Sequence, residues 1–289
     1  MVTLVSDGIH VRIISYNVRY ATTTPFPGEE LWSVRCPKLC AQLRFITSGH
    51  QSPFICLQEV LHSQIQDIQS QLGTSWTYIG QGRDDGKTAG EFSPIFFRTD
   101  SWECKRQTTY WLSETPERPS RGWDAALNRV VTVGCFQHRV QKARVMVMST
   151  HLDHMGVTAR RESAKVLLRL ASAWSDDENK NGFSTPVFLG GDFNSSPGGG
   201  AYREITRPGT GMKDISELVP KERRYGNDNI TYTSFGGEEG PSRIDFVFVR
   251  DASLVQLFGY SILANRFDDG IRLSDHRPVV ADVMVTPRA

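Results

Sequence analysis

Short apolar runs that stop abruptly on polar side chains are the feature that most constrains this chain. The clearest runs from Thr185 to Pro197, TPVFLGGDFNSSP. Val187-Phe188-Leu189 meets two glycines, and Asp192 and Asn194 follow with one residue between them. An apolar run closed by Gly, Asn, Ser and Pro predicts a buried strand opening into a loop. Alternate side chains of an extended segment share a face. Asp192 and Asn194 therefore point the same way, and Phe193 turns into the core. A carboxylate beside an amide at a strand end suits a site that accepts a proton and hydrogen-bonds an anion.

The pattern recurs along the chain. Val11 to Val18 reads as a strand with Asn17 near its end. Phe54 to Leu57 delivers Gln58-Glu59. Phe92 to Arg98 follows Glu91, and Trp102 to Leu112 is a further strand. Arg129 to Arg139 and Arg144 to Thr150 read as a hairpin that ends at His151. Ser242 to Val249, Leu254 to Ile262 and Pro278 to Val285 complete the strands. Helices are expected over Val34 to Thr47, Ile65 to Leu72 and Thr158 to Trp174. The last has Ala164, Leu167, Leu168, Ala171 and Trp174 on one stripe. Pro37 fits only the first turn of its helix. Gly198 to Asp214 reads as half helical, and Lys221 to Asn229 as a charged loop.

About ten strands with three or four helices between them predict an α/β fold of two packed sheets flanked by helices. Hairpins outnumber βαβ crossovers, so the sheets should be mixed and mostly antiparallel. No repeat or linker divides the 289 residues, which read as one domain over 1–289. There is no apolar run of about 18 residues, so no membrane span is expected. The N-terminus lacks a basic-then-apolar layout, which implies a cytoplasmic protein or a mature secreted form. The net charge of +1 gives no global argument for nucleic acid. Five scattered cysteines read as ordinary thiols. Asn229-Ile-Thr is a glycosylation sequon if the chain is secreted.

Asn17, Glu59, His151, Asp192, Asp245 and Asp275-His276 thus all fall at strand ends, where one rim of a scaffold can gather them. Hard oxygen donors without thiolates suit Mg²⁺ or Mn²⁺. Two histidines with acidic neighbours suit proton transfer and stabilisation of a phosphoryl oxyanion. The combination points to hydrolysis of a phosphate ester.

The motifs SYNVRY, LQEV, STHLDH, GGDFNSSP, SRIDFVFV and SDHRPVV also occur in the order of the endonuclease/exonuclease/phosphatase superfamily, and the chain resembles it over nearly its whole length. The segment YWLSETPERPSRGWDAALNR resembles one branch of it, with no settled substrate. The resemblance implies a DNase I-like four-layer α/β sandwich. It implies Glu59 as principal metal ligand, with Asn17 and Asp275 completing the shell. Asp192 would orient or deprotonate the attacking water, and Asn194 would bind a phosphate oxygen. His276 would be held by Asp245, while His151 would face the scissile phosphate with Glu91 as its paired acid. Which histidine is acid and which is base stays open. Arg129 would reach a phosphate, and Trp123 and Arg121 would contact substrate from the GWDA loop; local packing is the alternative for that loop. Asp153 and His154 read as supporting residues. The expected activity is a metal-dependent phosphodiesterase or nuclease, acting as a monomer on nucleic acid or nucleotides. Action on a small phosphorylated metabolite or lipid headgroup is the alternative, and a noncatalytic binding module is the third reading.

Overall fold

The computed structural model describes residues 8–180, 182, 185–227, 229–237 and 240–286. The first half of the chain forms β1 (Ile9–Asn17), α1 (Trp32–Thr47), β2 (Ser52–Gln58), α2 (His62–Leu72), β3 (Trp76–Ile79), β4 (Ile95–Arg98), β5 (Trp102–Trp111) and β6 (Val130–His138). There follow β7 (Arg144–His151), α3 (Val157–Lys180), β8 (Val187–Asp192), α4 (Gly200–Thr206), β9 (Met212–Asp214) and α5 (Ile215–Leu218). The last strands are β10 (Arg224–Gly226), β11 (Asp245–Arg250), β12 (Val255–Ile262) and β13 (Val279–Val285).

Two sheets result. One has the order β10-β12-β13-β1-β2-β4-β3 and the other β5-β6-β7-β8-β11-β9. Apolar residues on both faces of the central strands set the layering. Val11, Ile13, Phe54 and Cys56 meet Val145, Val147, Phe188 and Val247 in the core between the sheets. Ile14, Tyr16, Ile55 and Leu57 face outward and pack under α1 and α2 with Leu39, Leu43 and Ile65. Met146, Met148, Leu189, Phe246 and Phe248 lie on the opposite outer face, with Ala164, Leu167 and Ala171 of α3. Helix, sheet, sheet and helix make the four layers expected from the sequence.

The centres of the two sheets repeat one local pattern. β1 runs parallel to β2 and antiparallel to β13. β7 runs parallel to β8, which is antiparallel to β11. Two strands therefore end, and a third begins, at the same edge of each sheet. The register places His151 opposite Asp192, and Asp192 opposite Asp245.

Several boundaries differ from those the sequence predicts. Pro94 confines the fourth strand to Ile95–Arg98, and Phe92 makes only an isolated bridge to Val60. Ser242 likewise makes only a bridge, to Tyr232, and β11 begins at Asp245. Trp76–Ile79 forms a strand in addition to those the sequence predicts. Pro37 lies in the second turn of α1, where the burial of Trp32, Arg35 and Cys36 offsets the hydrogen bond it removes. Among the described residues all five cysteines are free, with Cys36 and Cys40 sulfurs 4.0 Å apart. No described helix is long and apolar enough to cross a membrane.

Candidate active site

The six central strands bring their polar ends together across the seam between the sheets. Asp192 closes β8 and is 1% exposed. Its Oδ2 accepts from Asn17 Nδ2 at 3.0 Å and lies 3.4 Å from His151 Nε2 and 3.6 Å from His276 Nε2. Its Oδ1 accepts from the Asn194 backbone N–H at 2.9 Å. Asn194 stands just beyond the strand in a left-handed conformation, φ 44°. That turn swings its amide back to His151 Nε2 and to the Leu152 carbonyl, each at 3.0 Å. Phe193 is buried between them, as the alternation requires.

On the other side of the seam, His276 Nδ1 lies 2.8 Å from Asp245 Oδ2, and both residues are buried. Burial opposes a charge on His276, but Asp245 and Asp192 outweigh it and raise its pKa well above the ordinary value. His151 is the reverse case. Burial, with the charges of Arg129 and Arg83, holds it well below its ordinary value, so it is neutral. Burial and the charge of Asp245 push the Asp192 carboxyl up to about 7. One imidazolium, one neutral imidazole and a carboxyl poised near neutrality share the space of a few ångströms.

Glu59 follows β2 with φ 59°, and Arg19 follows β1 with φ 58°. Glu59 Oε1 accepts from Asn17 Nδ2 at 2.9 Å, and Oε2 from the Tyr20 N–H at 3.4 Å, with Arg19 Nη1 at 3.7 Å. Burial disfavours its charge, but Asn17, Arg19 and His276 outweigh that and lower its pKa. Asp275, half-buried, is raised by burial and by Glu59. Crowding of like charges is what an oxygen-ligand site for a divalent cation produces when its carboxylates face one another alone. Glu59, His151 and Asp192 offer ligand atoms within 4.8 Å of one another. So do Asp192, Asp245 and His276, but that set is already tied by the Asp245–His276 hydrogen bond. The carboxylate oxygens of Glu59 and Asp192 are donors of the kind a hard divalent ion takes. Asn17 turns its Nδ2 to the carboxylates of Glu59 and Asp192, while its Oδ1 accepts from the Arg19 N–H at 3.0 Å.

Glu91 departs from expectation. It pairs with Arg83 Nη1 at 2.7 Å rather than with His151. Burial and the charge of Glu59 push its carboxyl up to about 7. Glu91, Arg83, Arg129 and His151 line one small cavity of about 10 Å³. Arg83 Nε, Arg129 Nη1 and His151 Nδ1 have no hydrogen-bond partner among the described residues. Arg129 is otherwise held by Asp153 Oδ2 at 3.3 Å and His154 Nδ1 at 3.0 Å.

The GWDA loop is latched to the scaffold. Asp124 caps α3 by accepting from Thr158 and Ala159 N–H at 3.2 and 2.6 Å. Asp153 accepts from the backbone N–H groups of Ala126, Leu127, Met155 and Gly156. Trp123 is half-buried against the outer core of the second sheet, and Arg121 is exposed. Arg243 pairs with Asp214 at 2.6 Å, which leaves Asp245 to His276. Sequence reasoning missed Arg19 and Arg83. Arg19 lies inside SYNVRY two residues after Asn17, and that adjacency was the available signal. Arg83 sits in a Gly-rich polar loop that reads as solvated.

Two packed sheets with helices outside, and a carboxylate–histidine cluster at the strand ends of both, define a DNase I-like sandwich built around a polar centre. The chain belongs to the endonuclease/exonuclease/phosphatase family, whose model matches residues 14–276. It is similar to an endonuclease/exonuclease/phosphatase from Bacteroides vulgatus at 33% identity, with 96% of this chain and 99% of that one covered and a TM-score of 0.81. It is similar to a family protein from Bacteroides thetaiotaomicron at 29% identity, with 97% and 96% covered and a TM-score of 0.82. A mannosyl-6-phosphatase of Bacteroides thetaiotaomicron VPI-5482 matches at 29% identity, with 95% and 99% covered and a TM-score of 0.81. No curated protein matches the sequence.

Proposed function

We propose that this chain hydrolyses phosphate esters by attack of water with Mg²⁺ or Mn²⁺ bound, and that its substrate is a small phosphorylated molecule of the sugar-phosphate kind. One observation carries the reading. Asp192 Oδ2 lies between the Nε2 atoms of His151 and His276, with the Asn17 amide on a third side. A carboxyl near pKa 7 can take a proton from water at neutral pH and release it again. His276, charged and held by Asp245, donates to a phosphoryl oxygen. Asn194 would donate to a second oxygen by releasing the bond its Nδ2 makes to His151 Nε2. Glu59 and Asp275 would hold the ion, and Asn17 would join them by turning its amide oxygen inward. A divalent ion there supplies stabilisation of charge developing on the phosphoryl group.

Support for the substrate comes from two directions. The mannosyl-6-phosphatase is similar over nearly the whole of both chains. A net charge of +1 offers a long polyanion little footing. The balance therefore moves from nucleic acid, the first expectation, to the small-metabolite alternative. The test is turnover of mannose 6-phosphate, p-nitrophenyl phosphate, bis-p-nitrophenyl phosphate, single-stranded DNA and RNA, each with Mg²⁺ or Mn²⁺. Monoester turnover should dominate. Faster cleavage of DNA or RNA would overturn the substrate reading, and full activity after chelation would overturn the metal reading.

A further inference from the structure

Arg35 is the most deeply buried cation of the site region, and the activity described above makes no use of it. It sits on α1, is 0% exposed, and directs its whole guanidinium fork at main-chain oxygens. Nη1 donates to the carbonyls of Val18 and Leu273 at 2.8 Å each. Nη2 donates to Arg19 O at 3.2 Å and to Tyr20 O at 3.4 Å, and Nε to Glu30 O at 2.9 Å. Glu29 Oε1 lies 3.9 Å from Nη2 and supplies the countercharge.

These acceptors belong to two separate loops. Val18, Arg19 and Tyr20 form the turn directly after Asn17, and that turn places the Tyr20 N–H and the Arg19 side chain on Glu59. Leu273 leads straight into Ser274-Asp275-His276. Both loops lie outside the strands, so sheet hydrogen bonds do not set their spacing. A second tie joins the same loops: Ser274 Oγ donates to Asn17 O at 2.7 Å. Gln64 Nε2 braces the first loop from α2 by donating to Arg19 O at 3.0 Å. Burying a guanidinium is costly unless its donors are satisfied, and a planar fork satisfied by carbonyls of two loops fixes the distance between them.

We propose that Arg35 is a positioning residue that sets the separation of Glu59 and Asp275, and hence the affinity of the site for its divalent ion. The proposal rests on the metal assignment made above. Arg35 touches neither substrate nor ion. Lysine preserves the charge but cannot span carbonyls of both loops in one plane.

The test is Mn²⁺ binding to the full chain, by electron paramagnetic resonance and calorimetry, for wild type, Arg35→Met and Arg35→Lys, with folded fraction checked by thermal melting. Arg35→Met should weaken Mn²⁺ binding at least tenfold, and Arg35→Lys by a smaller factor. At saturating ion, KM for p-nitrophenyl phosphate should stay within about threefold of wild type. If Arg35→Met does not fold, Arg35→Lys and Gln64→Ala decide, and each should still weaken binding severalfold. A lowered melting temperature with wild-type Mn²⁺ affinity would make Arg35 merely structural and overturn the proposal. A wild-type protein that binds no Mn²⁺ would instead overturn the metal assignment, and the positioning role with it.

Discussion

The Asp245→Asn variant gives the sharpest test of the site. The change is isosteric and alters one thing, the anion 2.8 Å from His276 Nδ1. Asp245 is fully buried, and its Oδ1 has no hydrogen-bond partner among the described residues. An asparagine can accept from Nδ1–H, or it can donate to Nδ1 and impose the other tautomer. In neither case does it sustain the imidazolium. The backbone bond from Asp245 N–H to Thr231 Oγ1 at 3.0 Å is untouched. Loss of the orienting carboxylate should lower kcat about 10³- to 10⁴-fold, roughly 4–5.5 kcal/mol of transition-state stabilisation. The melting temperature should hold steady, because a costly buried charge goes and no packing is lost. The alkaline limb of the pH–rate profile should move to lower pH, since Asp245 is the first of the charges that hold the His276 imidazolium above its ordinary value against burial. The assay is steady-state turnover of p-nitrophenyl phosphate from pH 5 to about pH 9, with His276→Ala and the double variant in parallel. Residues that act as a unit are not additive, so the double variant should be little worse than His276→Ala. Strictly multiplicative losses would refute the coupling. A large fall in melting temperature would refute the claim that Asp245 serves chemistry rather than packing.

Chelation with EDTA should abolish turnover, and Glu59→Gln should weaken Mn²⁺ binding while leaving the melting curve nearly unchanged; titration of activity against added metal checks both. Burial alone would raise the Asp153 carboxyl, but N–H donors from Gly156, Ala126 and Met155, with Arg129, outweigh it and bring it to about 2. A depressed folded-state pKa contributes stability above the unfolded value of about 3.9 and loses it as pH falls through the folded value. Melting temperature should therefore drop between about pH 4 and pH 2 more steeply in wild type than in Asp153→Asn. Trp123→Ala should cost about 1–3 kcal/mol by denaturant unfolding, a share of the loss expected for a fully buried tryptophan. If KM rises for mannose 6-phosphate but not for p-nitrophenyl phosphate, the indole also meets substrate; equal losses on both leave it a packing residue.

Much of the site was legible because β structure separates its residue types cleanly. A strand buried on both faces is largely apolar, so the polar cluster that closes it marks its end, as at Asn17, Gln58-Glu59, His151 and Asp192. Chain order then supplied the motifs. What stayed hidden depended on long-range partners. Arg35 reads as a charged position on an amphipathic helix, and nothing local shows that its acceptors are the carbonyls of residues 18–20 and 273. Glu91 carries no mark that Arg83, eight residues earlier, will capture it. The direction of the Asn17 amide is likewise fixed by Glu59 and Asp192 from two other strands. The length of the fourth strand was readable in principle, because Pro94 forbids a donor there.

The left-handed turns at Glu59 and Asn194 bear on how this sequence would drift. An L-residue held in that conformation costs roughly 1–2 kcal/mol, less for asparagine, and glycine does not incur it. Selection for folding alone would favour Glu59→Gly, and only selection for turnover opposes it. Gly190 is under the opposite pressure. A Cβ there would stand 3.0 Å from Cys56 Cβ and 3.3 Å from Ser15 Cβ, so strands of the facing sheet would have to give way. A duplicated copy relieved of its chemistry should therefore acquire glycine at position 59 early and keep Gly190 unchanged. That pairing would be the genetic signature of a descendant that retained the sandwich and abandoned catalysis.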